Sequence, residues 1–289
     1  MKNKLSRIIQ GCMNWGQWGS KLTVNEMESL IHHNLDIGIS SFDHADIYGD
    51  YTTEKEFGKA FSKSGISRES IQLISKCGIQ YVGKTRENKV KHYQYDSDYI
   101  IFSAEKSIKD LRAEYLDVFL LHRPSPLMHP EEINKAVDTL MNQGKIKSFG
   151  VSNFTPSQTD LILNKSKVYA NQIEFSLTHN EPLFDSSLDH MIMNKIIPMS
   201  WRPLGRVFMH DNSQNKRIHL LLDELVVKYK VSKDQLLLSW ILKHPSKIYP
   251  VIGTVKKERI KASLEAQKIE LSDIDWFRML EQSMGAALP

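Results

Sequence analysis

The chain has 289 residues, 41% hydrophobic and 25% charged, enough to bury a large core as either two small domains or one α/β barrel. A formal charge of only +4, with no like-charge run and no basic cluster interleaved with aromatics, argues against a nucleic-acid partner, while a mild positive bias suits a phosphate-bearing ligand. Two cysteines, Cys12 and Cys77, at no metal-binding or disulfide-framework spacing, and an N-terminus without a long apolar stretch, point to a soluble cytoplasmic protein with reduced thiols, no metal site and no membrane span.

From one end to the other, short apolar runs alternate with longer helical patterns, the signature of a parallel sheet built from βα units. Eight strands are expected, at Arg7 to Met13, Gly38 to Asp43, Ile71 to Cys77, Leu116 to His122, Ile146 to Ser152, Tyr169 to Glu174, Ile196 to Trp201 and Ile248 to Gly253. Helix starts are marked by Thr23 with Glu26, Thr53 with Glu56, and Thr155 with Pro156 and Gln158, whose side chains can satisfy orphan backbone donors. Gly38 and Gly144 fall just past helical stretches. Apolar spacing supports helices through Ile100, Ala104, Ile108 and Leu111, and through Ile133, Val137, Leu140 and Met141. A segment from Leu271, with Ser272 and Asp275 as a cap, reads as a helix beyond the eighth unit.

No linker or low-complexity stretch interrupts the series, and no G-x-G-x-x-G turn follows the first strand. The fold class expected is therefore α/β, a (β/α)8 TIM barrel with an additional C-terminal helix, formed by residues 1–289 as one domain. In such a barrel the carboxyl ends of the strands converge on one mouth. Those ends carry Asp43, Lys76, His122, Ser152 with Asn153, Gln172, Trp201, and Gly253 with Thr254.

Taken singly, Asp43 reads as a loop cap, Lys76 as a strand-end side chain reaching solvent, and His122 as a hydrogen-bonded core histidine. Taken together with Tyr48 in the following loop, they suit carbonyl reduction. That reaction needs a proton donor at oxygen as hydride reaches carbon, and tyrosine near its free pKa of about 10 holds its proton tightly. Lys76 is expected to lower the Tyr48 pKa, Asp43 to keep the ammonium charged, and neutral His122 to orient the carbonyl. The hydride must come from a cofactor.

These segments resemble the aldo-keto reductases over nearly the whole chain, and more narrowly the bacterial predicted-oxidoreductase branch of that superfamily. GISSFDHADIYG (38–49) is similar to the signature that carries the family's aspartate and tyrosine; SKCG supplies Lys76 and LDVFLLHRP supplies His122. GKIKSFGVSNF (144–154), ANQIEFS and PVIGTVKKERI match later blocks. The resemblance implies Asp43, Tyr48, Lys76 and His122 as catalytic residues. It also implies a nicotinamide site in which Ser152, Asn153 and Gln172 hold the carboxamide and Trp201 stacks on the ring, with Leu204 nearby. Thr254 and Arg259 would contact the adenosine phosphate, beside Gly253 and a helix starting near Val255, with Lys256 or Lys257 as a further cation and Ser263 at the adenine. Three positions depart from the family pattern: Gly253 stands where a lysine is frequent, Ser263 where asparagine is common, and Trp201 where tyrosine is usual. NADP(H) is the expected cofactor and NAD(H) the alternative; the expected partner is a small-molecule carbonyl substrate.

Two other functions compete. Gly78 to Thr85 fits the pattern G-x-x-x-x-G-K-[ST] of a P-loop NTPase, although the residues beyond it lack helical periodicity. A nicotinamide-binding redox sensor with little turnover would keep the same barrel. Substrate contacts are expected from Trp15 and Trp18 after the first strand, Leu127 after the fourth and Phe175 after the sixth. Nothing in the sequence specifies an oligomeric state.

Overall fold

The computed structural model describes residues 5–288. Eight parallel strands close into a barrel: β1 (Ile9–Gly11), β2 (Ser41–Asp43), β3 (Gln72–Cys77), β4 (Val118–Leu121), β5 (Phe149–Ser152), β6 (Ala170–Glu174), β7 (Ile197–Trp201) and β8 (Tyr249–Ile252). Each pairs with its neighbours in sequence, and β1 closes on β8 with Ile9 opposite Val251. Every expected strand is present, each shortened at its N-terminal end and β1, β4 and β8 at both ends.

The helices that cover the barrel are α1 (Val24–Asp36), α2 (Thr53–Ser64), α3 (Ser97–Asp110), α4 (Pro130–Asn142), α5 (Pro156–Leu163), α6 (Ser187–Met193), α7 (Ser213–Tyr229), α8 (Lys233–Lys243) and α9 (Lys257–Glu265), followed by α10 (Asp273–Met284). Capping boxes start α1 and α5 as the sequence indicates, at Thr23 with Glu26 and Thr155 with Gln158. Thr53 is a correction. The helix begins one residue earlier, with Thr52 at the N-cap, and the Thr53 hydroxyl is buried without a partner. The chain reaches α2 through left-handed Gly49, Asp50 and Tyr51, which supply the sharp turn a side-chain cap would otherwise mark.

Two cores result. Inside the barrel, Ile9, Ile74, Val118, Leu120, Met199 and Val251 pack on one another; between strands and helices lies a larger layer that includes Trp15, Phe42, Phe57, Phe119 and Phe175. The closing helix α10 is fixed to α8 by Trp240 and Trp276, whose rings stack at 4.9 Å while each indole N–H donates to the other residue's carbonyl. Ser272 caps α10 by accepting from the Asp275 amide. Burial works against the Asp275 carboxylate, yet donors from Lys228, Tyr229, Ser272 and Arg278 outweigh it and hold its pKa below the ordinary value. Among the described residues no helix is long and apolar enough to cross a membrane.

The P-loop pattern does not form a P-loop. Ile79–Gln80 pairs antiparallel with His92–Tyr93 in a short hairpin inserted after β3, and no helix begins until Ser97. The Lys84 and Thr85 amides, which a P-loop would aim at phosphate, both donate to the Asp50 carboxylate.

At one helix crossing, packing overrides helix propensity. Gly58 lies inside α2 against the end of α3, where an added Cβ would stand 2.0 Å from the Asp110 carbonyl oxygen and 2.8 Å from Leu111. Propensity alone would have Gly58→Ala stabilise the helix by up to about 1 kcal/mol. We expect the reverse, a loss of roughly 1–3 kcal/mol from forcing the helices apart, read as a lower urea midpoint. A stabilised variant would show that α2 and α3 separate without cost.

Candidate active site

Lys76 is the centre of the site. It sits near the end of β3, fully buried, and its ammonium donates to Asp43 at 2.8 Å, to the His44 carbonyl at 2.7 Å and to the Tyr48 hydroxyl at 3.2 Å. An ammonium has three hydrogens, and all three have an acceptor. Asp43 ends β2, directly paired with β3, so the ion pair follows from strand register. Its other oxygen accepts from Gln172 Nε2 at 2.9 Å, which ties β2 to β6 across the barrel mouth. Burial works against the Lys76 charge, but Asp43 and Tyr48 outweigh it and raise its pKa above the ordinary value.

Tyr48 is carried by the loop after β2. Its ring meets Trp18 at 6.4 Å and His122 at 6.1 Å, both edge-on, with the hydroxyl toward Lys76. The loop is held from behind by Asp46, a buried carboxyl that accepts from Tyr99 and Ser103 and that burial pushes up to about 6. The expected lowering of the Tyr48 pKa is corrected. Burial pushes it up to about 12, because desolvation of the phenolate outweighs Lys76, whose field Asp43 partly cancels. Tyr48 is therefore a protonated donor at neutral pH. His122, just past β4, is held well below the ordinary histidine range by burial and then by Lys76, Arg123 and Lys91, so its imidazole is neutral; its Nδ1 is buried with no partner.

A cavity of about 480 Å³ opens over these groups, lined by Asp43, His122, Ser152 with Asn153, Gln172, Trp201 and Gly253 from six of the strand ends named above, and by Tyr48 from the loop after β2. Asn153, at a left-handed φ of 61°, donates from Nδ2 to Ser152 and accepts from the Trp201 indole at 2.9 Å. A second cavity of about 460 Å³, lined by Leu204, Gly253, Thr254, Arg259, Ser263 and Lys233, shares Arg202, Pro203, Ile252 and Gly253 with the first. The two make one groove running from the mouth to the start of α9. Lys256 takes the N-cap position of that helix, which starts at Lys257, two residues later than expected near Val255, and lies outside the groove lining.

Of the four expected substrate contacts only Trp18 lines the mouth. Trp15 is fully buried against Phe42 and Phe57, and Phe175 is fully buried and stacked on Trp240, so both belong to the core between strands and helices. Leu127 is 82% exposed, outside the cavity. Sequence reasoning passed over Asn14, Lys91, Arg123, Arg202 and Lys233, which line the two cavities. Arg123 and Arg202 directly follow His122 and Trp201, so the strand-end rule could have found them. Lys91 lies in the hairpin and Lys233 on α8, where no strand-end signal points.

The chain matches the family model described as "Aldo/keto reductase family" over residues 7–282. It is 37% identical to an uncharacterized oxidoreductase, YcsN, of Bacillus subtilis, over 99% of this chain and 97% of that protein. It is 32% identical to a 6-dehydroglucose reductase of Agrobacterium fabrum, over 98% of this chain and 96% of that one. Its fold superimposes on the glycerol dehydrogenase of Gluconobacter oxydans with a TM-score of 0.86 at 21% identity, covering all of this chain and 95% of that one. A closed barrel of eight parallel strands, an ion-paired lysine and tyrosine at its mouth, and a family match spanning nearly the whole chain lead to one conclusion: the chain belongs to the aldo/keto reductase family.

Proposed function

We propose that the protein reduces aldehydes or ketones to alcohols with NADPH, and that Tyr48 delivers the proton. The observation that carries this reading is the Lys76 ammonium, bound at once to Asp43 and to the Tyr48 hydroxyl beneath an open cavity. A carbonyl oxygen in that cavity within reach of Tyr48 and His122 meets two neutral donors. At about 12, the Tyr48 hydroxyl is still more acidic than an alcohol, for which bulk water at about 15.7 is a guide, so proton transfer to a forming alkoxide runs downhill. The phenolate left behind is stabilised by Lys76, and Asp43 keeps that lysine charged and aimed.

The residues present suit a nicotinamide dinucleotide. Gln172 Oε1 makes no hydrogen bond among the described residues and Asn153 Nδ2 has a second hydrogen, an acceptor and a donor of the kind a carboxamide needs. Trp201 offers a flat face at the mouth, and the continuous groove ends beside Arg259, Thr254 and Lys233, cations and a hydroxyl suited to a phosphate. When bound, the reduced nicotinamide supplies the hydride. The 2′-phosphate of NADPH gives these cations one more anion than NADH does, which is why we assign NADP(H).

An NADPH-oxidation screen over aldehydes, ketones and quinones tests the whole reading. Bound cofactor oxidised once, with no steady-state turnover on any carbonyl, would instead favour a redox sensor. Tyr48→Phe keeps the ring and should retain fold and cofactor affinity while kcat falls roughly 10²- to 10⁴-fold; near-normal kcat would sink the assignment. The pH dependence follows from the same pKa. With Tyr48 protonated until about pH 12, reduction should show no descending limb from this group between pH 6 and 9. Alcohol oxidation, which needs the phenolate, should rise about tenfold per pH unit over the same range. Identical pH profiles in the two directions would point to another proton donor. For the cofactor, NADPH should bind more tightly than NADH and weaken with salt, and Arg259→Ala should cost NADPH about tenfold in Kd and NADH little. Equal affinities untouched by that substitution would displace the phosphate site.

A further inference from the structure

The lining of the mouth cavity is electrostatically lopsided. Its cationic residues are Lys91, Arg123 and Arg202, and its single acid, Asp43, is committed to Lys76. Arg202 is answered by Glu174 at 3.3 Å. Neither the Arg123 guanidinium nor the Lys91 ammonium has an ion pair or hydrogen bond among the described residues; Arg123 rests 5.4 Å from the centre of the Trp201 ring. Strand order separates these two charges from the cofactor groove. Arg123 follows β4 and Lys91 belongs to the hairpin after β3, whereas Thr254 and Arg259 follow β8. In an eight-strand ring β4 and β8 face each other across the axis, so Arg123 stands opposite the groove we assign to phosphate, with Lys91 one strand to its side.

We propose that the substrate carries an anionic group, carboxylate or phosphate, bound by Arg123 with help from Lys91 while its carbonyl lies against Tyr48 and His122. This rests on the reductase reading above and names the substrate class of that same site. Arg123 suits the task because its planar fork can grip two anionic oxygens, and because adjacency to His122 in the chain fixes it beside the reacting carbonyl. Lys91 adds a point charge from the hairpin side. In a cleft walled by low-dielectric side chains, with its acid neutralised, the field of two unanswered cations favours anions on approach as well as in the bound state.

The test compares matched carbonyls on the full chain with NADPH: 4-carboxybenzaldehyde against its methyl ester, and glyceraldehyde 3-phosphate against glyceraldehyde. The anionic member of at least one pair should be preferred roughly 10- to 100-fold in kcat/KM, mainly through KM, with the preference fading as salt is added. The pair with the larger ratio tells carboxylate from phosphate. Arg123→Gln should bring that ratio close to one, and Lys91→Gln should lower it by a smaller factor, with NADPH affinity followed separately by fluorescence titration. Equal kcat/KM within both pairs overturns the inference and leaves the reductase reading standing. A ratio that survives Arg123→Gln overturns it too, as does a parallel loss for charged and neutral probes with weakened NADPH binding, which would place Arg123 in the cofactor site. Reduction of none of the four removes both readings together.

Discussion

Burying the Lys76 ammonium is the constraint around which the barrel mouth is organised. A charged amine taken out of water costs several kcal/mol unless its hydrogens and its charge are both met. Here both are met, by Asp43, the His44 carbonyl and the Tyr48 hydroxyl. Each partner imposes a structural demand. Asp43 requires β2 to lie beside β3 in one register, His44 requires the chain to leave β2 with its carbonyl turned inward, and Tyr48 requires the left-handed turn at Gly49 and Asp50 that folds the loop back over the mouth. Gln172 then holds Asp43 from the far side. Lys76 and these four groups form one hydrogen-bonded unit, and removing Lys76 would leave the Asp43 carboxylate buried without its countercharge.

The loop insertions are set to the same end. Asp50 draws the segment after β3 toward Tyr48 by accepting from the Lys84 and Thr85 amides, and the Thr85 hydroxyl donates to the Asp50 carbonyl. This contact occupies the Lys84 and Thr85 amides that an anion-binding loop would offer. Trp18, Tyr81 and Tyr48 then meet edge-on, closing the side next to the hairpin with aromatic surface. On that flank the mouth combines these rings with the Lys91 ammonium, and beside His122 it carries Arg123, while the second cavity runs away from it toward α9.

The Tyr48 environment shows why a residue's neighbours in sequence do not fix its chemistry. A tyrosine beside a lysine suggests a lowered pKa, since a cation favours phenolate. In the folded protein the same lysine is paired with an aspartate, which partly cancels its field at the hydroxyl, and withdrawal from water becomes the larger influence. The result is a tyrosine that stays protonated at neutral pH.

The sequence by itself determined the alternation of strands and helices, the helix caps at Thr23, Thr155 and Ser272, and the identity of the groups at the strand ends. These depend on local physics: apolar period, side chains that satisfy a helix's first amides, and the convergence that any parallel barrel imposes on Asp43, Lys76, His122, Ser152, Gln172 and Trp201. Only the tertiary structure decided which loop residues face the mouth. Trp15 and Trp18 are three positions apart and alike in chemistry, yet one fills the core beneath α2 and the other lines the cavity, while Phe175 and Leu127 fall on opposite sides of that choice, one fully buried and the other in solvent. The hairpin in place of a P-loop, the direction of the Tyr48 shift and the pairing of Arg202 but not Arg123 belong to the same group. Each depends on how much water and which distant charge a side chain meets, and burial and charge pairing are set by chain segments far apart in sequence.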